Sequence, residues 1–160
     1  MNGKWLAAVT AVVVVMGLAW GGQTAQAQSA DEIGKSISGL YLEVMQKVVT
    51  LMKDRPDPKE LTPKLAQLKD ETIKQMVELG KKREALDQAG KKGVDRVIEQ
   101  TMNKLSPDLF KEFSDGNAHY FKLDPKLSKL IMDFQMIPQY AVFDNLKQHA
   151  PQEAQRLGIK

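Results

Sequence analysis

Apolar residues recur at helical spacing through nearly all of the chain after residue 27, and no useful stretch alternates between apolar and polar residues as a strand would. The clearest example runs from Ala30 to about Asp54, where apolar side chains cover about half of the helix circumference. This segment opens on Ser29 and Glu32, a hydroxyl and a carboxylate three positions apart that form a capping-box pattern. The periodicity therefore predicts a long helix with one buried face, and an all-α fold.

Proline residues mark where further helices begin. Three prolines directly follow a capping residue, which predicts an N-cap and a first helical position at Thr62-Pro63, Ser106-Pro107 and Asp124-Pro125. Gly90 and Gly93 predict a break in the second long helix. The sequence Ser-Asp-Gly-Asn at 114–117 predicts a turn, and residues 118–123 are compatible with a short extended piece for which the sequence offers no partner strand.

The predicted architecture is a small helical bundle of four to five helices. Residues 30–89 form an antiparallel hairpin, and a long C-terminal helix from Pro125 to about His149 closes over it. Pro138 lies inside that last helix, where it removes a backbone donor and predicts a kink. We expect residues 28–160 to form one domain that buries enough surface to fold without covalent cross-links.

The first 27 residues have the pattern of a cleaved signal peptide. Lys4 supplies the positive start, Leu6 to Trp20 is an uncharged apolar run of fifteen residues, and Ala25-Gln26-Ala27 fits the small-x-small cleavage pattern. Such a run spans about 22 Å as a helix, less than the ~30 Å of a bilayer core. The sequence thus predicts a periplasmic or secreted protein without a stable membrane span after cleavage, although a retained anchor stays open.

Composition excludes several classes of protein. The chain has no cysteine and two histidines, which excludes disulfides, thiol catalysis and cysteine-ligated metals and disfavours a multi-histidine metal centre. The net charge of +3 falls to +2 once Lys4 is removed. The short lysine clusters are mixed with acidic residues, so we expect a solvated surface and no nucleic-acid partner.

Catalytic motifs are absent from the sequence. No metalloprotease, nucleophile-elbow or complete phosphate-loop pattern occurs, and neither His119 nor His149 has a carboxylate at an orienting spacing. Arg83 interrupts the apolar stripe of the second helix; it is either a buried anion-binding group or, as we prefer, a side chain that extends to water. We expect neither an enzyme nor a bound cofactor.

Aromatic residues are concentrated near the C-terminal helix. Seven of the eight aromatics after residue 27 lie between Phe110 and Phe143. The predicted last helix is apolar on two sides, one of which carries Met132, Met136, Tyr140 and Phe143. Three interpretations remain open: a central helix covered by its neighbours, a surface for a protein partner or a second copy, and a ligand pocket.

The functional prediction follows from these alternatives. We expect an exported, non-catalytic protein that binds a protein partner, or assists an envelope assembly, through the Met/aromatic side of the last helix. The alternative is a small-ligand or non-covalent haem carrier with a pocket near Pro138. Its candidate ligand-binding residues are Met45, Phe134 and His149.

Overall fold

The computed structural model describes residues 29–104 and 106–160, and within them it is all-helical. The predicted signal segment lies outside the described residues. The all-α prediction is confirmed, but four to five helices was too few. Seven α-helices and one 3-10 helix occur in the described residues, namely α1 Ala30–Met52, α2 Pro58–Glu84, α3 Gln88–Met102, α4 Pro107–Leu123, α5 Pro125–Asp133, the 3-10 helix Phe134–Ala141, α6 Phe143–His149 and α7 Pro151–Arg156.

Helix α1 lies at the centre and contacts α2, α3, α4 and the 3-10 helix. The predicted capping box starts it: the Ser29 hydroxyl accepts from the Glu32 amide at 3.2 Å, and the Ser29 amide donates to the Glu32 carboxylate at 2.9 Å. The buried face of α1 continues at helical spacing through Ile33, Ile37 and Val48 into the hydrophobic core. Local sequence and tertiary packing therefore agree along this helix.

Helix α2 begins earlier than predicted. Its N-cap is Asp57, whose carboxylate accepts from the amide of Lys59 at 2.8 Å, and Pro58 occupies the first helical position. Pro63 lies inside the helix on an exposed face, and the Thr62 hydroxyl donates to the carbonyl of Pro58 at 2.7 Å. The predicted start at Thr62-Pro63 is therefore wrong, because the helix already begins at Pro58 and includes both residues.

The break after α2 falls at residues 85–87, upstream of the glycines that predicted it. Gly90 and Gly93 instead lie within α3, whose N-cap Asp87 accepts from the amide of Gly90 at 2.7 Å. A Cβ built at Gly93 would lie 3.1 Å from the Cβ of Ala30, so this glycine lets α3 lie close to α1. The glycine serves helix packing and does not end a helix.

Helix α4 continues through the predicted turn at 114–117 and the predicted extended piece at 118–123. Three of the four residues that favoured a turn have contacts within α4 or with neighbouring helices. Asp115 accepts from Lys111 at 2.7 Å, Asn117 accepts from the Ser128 hydroxyl at 2.8 Å, and Gly116 packs against Met52. Tertiary contacts here override the local turn preference.

The predicted single helix from Pro125 to His149 is divided into α5, the 3-10 helix and α6. Pro138 lies inside the 3-10 helix, where its missing amide accompanies the change in backbone pitch. The 3-10 spacing buries Phe134 and Ile137, three residues apart, while Val142 separates the segment from α6. The irregularity expected at Pro138 thus includes a change of helix type.

Candidate functional site

The structure separates the four residues predicted to form one partner-binding surface. Met132 and Met136 are exposed, with 41% and 46% of their residue surfaces accessible to solvent. Tyr140 is half-buried, and Phe143 is buried. The separation arises because the change from α to 3-10 geometry breaks the 3.6-residue period that placed the four on one side.

Phe143 is therefore corrected from a surface residue to a core residue. Its ring lies against Gly80 of α2 so closely that a side chain at position 80 would collide with it. Gly80 is itself buried, and the backbone of Ala141 lies 3.1 Å from the position a Cβ would take there. Phe143 thus fixes the start of α6 on α2, and the surface keeps only its two methionines.

Tyr140 belongs to a polar cluster at the carboxyl end of the chain. Its hydroxyl donates to Glu153 at 3.4 Å, and Glu153 is held by Arg156 through two contacts of 2.7 and 2.6 Å. Burial, then the charges of Glu153 and Asp133, raise the pKa of Tyr140 to about 12. The hydrogen bond with Arg156 lowers the pKa of Glu153. The cluster joins α7 to the 3-10 helix.

A second polar contact holds α5 in place beside this cluster. The Lys69 ammonium on α2 donates to the Asp133 carboxylate at 2.6 Å, and both side chains are partly buried. Asp133 directly follows Met132 and precedes the 3-10 helix. The two exposed methionines are therefore carried by a segment that is anchored on both sides.

The structure does not bring the three candidate ligand residues together. Met45 and Phe134 are 1% and 0% exposed in the hydrophobic core, whereas His149 is exposed at the end of α6. Neither these residues nor Pro138 line any of five grooves on the surface of the described residues. This geometry gives no support to the proposed haem arrangement.

Arg83 is buried and ion-paired within the protein, so the preferred sequence interpretation of a water-exposed side chain is wrong. The residue is 4% exposed; its Nε and Nη2 donate to the two carboxylate oxygens of Asp95 at 3.0 and 2.9 Å, and Nη1 donates to Glu84 at 2.8 Å. Burial acts to lower the pKa of Arg83, but the Asp95 and Glu84 carboxylates outweigh it and raise that pKa. The guanidinium therefore cross-links α2 and α3.

Large apolar side chains that remain exposed are concentrated between positions 110 and 136. In the described part of the chain they are Phe110, Phe121, Leu123, Met132 and Met136, at 39–66% exposure. The hydrogen bond between Asn117 and Ser128 joins α4 to α5. Phe121 lies one turn after Asn117 and Met132 one turn after Ser128, which places both near this helix contact.

Two adjoining grooves run beside α4. One, of about 410 Å³, lies between the end of α1 and α4; the other, of about 330 Å³, continues toward the end of α4. Arg55 and Asp115 line both. His119 lines the second groove, with its ring edge-on to Tyr120 at 5.0 Å between centroids. The predicted extended piece at 118–123 did not point to this surface, because the structure continues α4 through these residues.

Comparisons add no family assignment. No protein-family model, no curated protein sequence and no solved structure matches this chain. Among the described residues, no group of three or more histidine or acidic side chains is placed to hold a metal ion. No described helix is both long and apolar enough to cross a bilayer.

Proposed function

We propose that this chain is an exported, non-catalytic protein of the periplasm or extracellular space that binds a protein partner within an envelope assembly. Its binding surface consists of Met132 and Met136, which we name the Met surface. The observation that carries the proposal is the exposure of both methionines, at 41% and 46%, on a segment anchored by Lys69–Asp133 and Tyr140–Glu153.

Methionine suits such a surface for a physical reason. Its unbranched, polarisable thioether adapts to a partner's shape, and methionine is enriched in protein interfaces relative to other surfaces. The neighbouring Gln139 amide lies 3.7 Å from the Met136 sulfur, which leaves a polar group at the edge of the apolar contact. An apolar centre with a polar edge is the usual composition of a partner-binding surface.

The test compares two lysine variants in a pull-down from the source cell envelope. M132K/M136K places two charges on the Met surface, and Q135K places one on an exposed neighbour in the same 3-10 helix. Both should keep the wild-type thermal midpoint, because the altered side chains are exposed. We expect the double variant to recover at least tenfold less partner than the wild type and Q135K to recover a similar amount.

Retention of the same partner by M132K/M136K would contradict the proposal. Light scattering over a range of concentrations separates a second copy of the chain from a different partner, because only self-association makes the mass of the purified protein rise with concentration. M132K/M136K should fold and remain monomeric in either case. Loss of folding in that variant would instead show that the methionines belong to the core, which would also contradict the proposal.

A further inference from the structure

The end of α4 and the start of α5 form a corner where apolar and basic side chains are exposed together. Phe121 and Leu123 are 66% and 59% exposed, the two highest values among large apolar residues of the described chain. Lys122 lies between them, and Lys126 and Lys129 follow on α5, all exposed. We name these five residues the basic corner.

Basic side chains outnumber carboxylates around the basic corner: Asp115 lines the same groove as Lys122 but already pairs with Lys111. Within the described residues, Lys122, Lys126 and Lys129 form no side-chain hydrogen bond or ion pair. Asp124 is the single carboxylate between Asp115 and Asp133, and it accepts from the amides of Lys126 and Leu127 at 2.9 and 3.1 Å as the cap of α5. The corner therefore carries an excess of positive charge.

Arg55 adds a further cation from the α1–α2 connection. It lines the groove of about 330 Å³ together with Lys122 and Leu123. Its φ of 50° is left-handed, a costly conformation for a residue other than glycine. The buried Tyr120 donates to the carbonyl of Pro56 at 2.9 Å and so holds this connection against α4.

We infer that the basic corner docks on an anionic phospholipid surface. Lysine ammonium groups are attracted to lipid phosphates, and exposed Phe and Leu side chains gain free energy by entering the boundary between head groups and acyl chains. The basic corner shares no residue with the Met surface, so the inference does not depend on the proposed function.

Two features favour a lipid surface over an acidic protein. Phe121 and Leu123 both lie in the last turn of α4, so the helix end presents them together with Lys122. The three corner cations on α4 and α5 are lysines, flexible point charges that suit a diffuse array of phosphates. Recognition of defined carboxylates in a protein favours the bidentate geometry of arginine.

The test measures binding to vesicles of phosphatidylcholine alone and of phosphatidylcholine with phosphatidylglycerol by co-sedimentation. The quantity compared is the ratio of the two affinities, because apolar insertion of any other segment contributes to both vesicle types. We expect K122Q/K126Q/K129Q to lower this ratio at least tenfold. The matched control K59Q/K64Q/K74Q removes three exposed lysines from α2 and should leave the ratio nearly unchanged.

A second pair of variants tests the apolar part of the corner. F121S/L123S should weaken binding to the anionic vesicles several-fold, whereas M132S/M136S should not. Equal loss in the corner and control lysine variants would overturn the inference, because it would show attraction by net charge alone. The absence of any preference of the wild-type protein for anionic vesicles, or binding of the corner to an acidic protein but not to vesicles, would overturn it as well.

Discussion

Two glycines in α1 show how closely neighbouring positions can differ. A Cβ built at Gly34 would lie 2.7 Å from the Cβ of Val97 and 3.1 Å from the carbonyl oxygen of Val94. A Cβ built at Gly39 would meet no atom within 4 Å. Gly34 is therefore required for the close packing of α3 on α1, while Gly39 only adds flexibility to an exposed helix position.

Replacing these glycines by alanine should change stability in opposite directions. G34A is expected to lower the free energy of unfolding by about 1–3 kcal/mol, because a branched side chain and a backbone carbonyl cannot both move away. G39A is expected to raise it by about 0.5–1 kcal/mol through helix propensity. Urea unfolding measures both, and a G34A protein as stable as wild type would show that α3 can shift without cost.

At the scale of helices, similar N-cap sequences differ in what they contribute. Asp124 accepts from the amides of Lys126 and Leu127, so it satisfies two donors at the start of α5. Ser106 occupies the N-cap of α4 and makes no side-chain capping hydrogen bond. Both precede a proline and both were predicted as caps, so sequence located the two starts but could not rank them.

Alanine substitution should separate the two caps. D124A is expected to destabilise the protein by about 1 kcal/mol, because it leaves amides at the start of α5 without a partner. S106A is expected to change the free energy of unfolding by less than about 0.5 kcal/mol. Both values follow from chemical unfolding at neutral pH, and equal effects of the two substitutions would contradict this ranking.

Helix type within the C-terminal region also depended on more than local sequence. The prediction of a helix through residues 125–149 was correct in its helical character, and Pro138 correctly indicated an irregularity. The change to 3-10 geometry was not predictable, because it depends on the burial of Phe134 and Ile137 against other helices. Because of this same change, Met132 and Met136 of the predicted Met/aromatic side are exposed while Phe143 is buried.

At the scale of the molecule, three contacts among others stabilise the C-terminal region. Two of them join it to α2, and the third joins two of its own segments. The Phe143 ring packs on Gly80, Lys69 pairs with Asp133 across α2 and α5, and the Tyr140 hydroxyl donates to Glu153. The last of these depends on pH, because burial raises the pKa of Tyr140 from 10 to about 12. A raised folded-state pKa stabilises the fold below the unfolded value and loses this contribution as pH rises.

The protein should therefore lose stability between about pH 10 and pH 12, in part through Tyr140. In Y140F this position cannot ionise, so the decline over the same range should be smaller. Burial also raises the pKa of Tyr41 and Tyr120, and hydrogen bonds to Asp31 and Asp115 raise the pKa of Lys35 and Lys111, so these groups contribute to the decline that remains. Urea unfolding at intervals from pH 9 to 12 provides the measurement; equal slopes for Y140F and wild type would contradict this role of Tyr140.

Sequence by itself determined the helical class, the start of α1 at Ser29, and the starts of α4 and α5, because these depend on side-chain periodicity and on caps and first-turn prolines within one helical turn. Only the tertiary structure decided that α4 continues through Gly116, that Arg83 is buried against Asp95, and that Phe143 lies in the core. The physical reason is that local preferences amount to about 1 kcal/mol per residue, whereas packing and ion pairing between distant segments can exceed that amount. Exposure of Met132 and Met136, on which the proposed function depends, belongs to this second group.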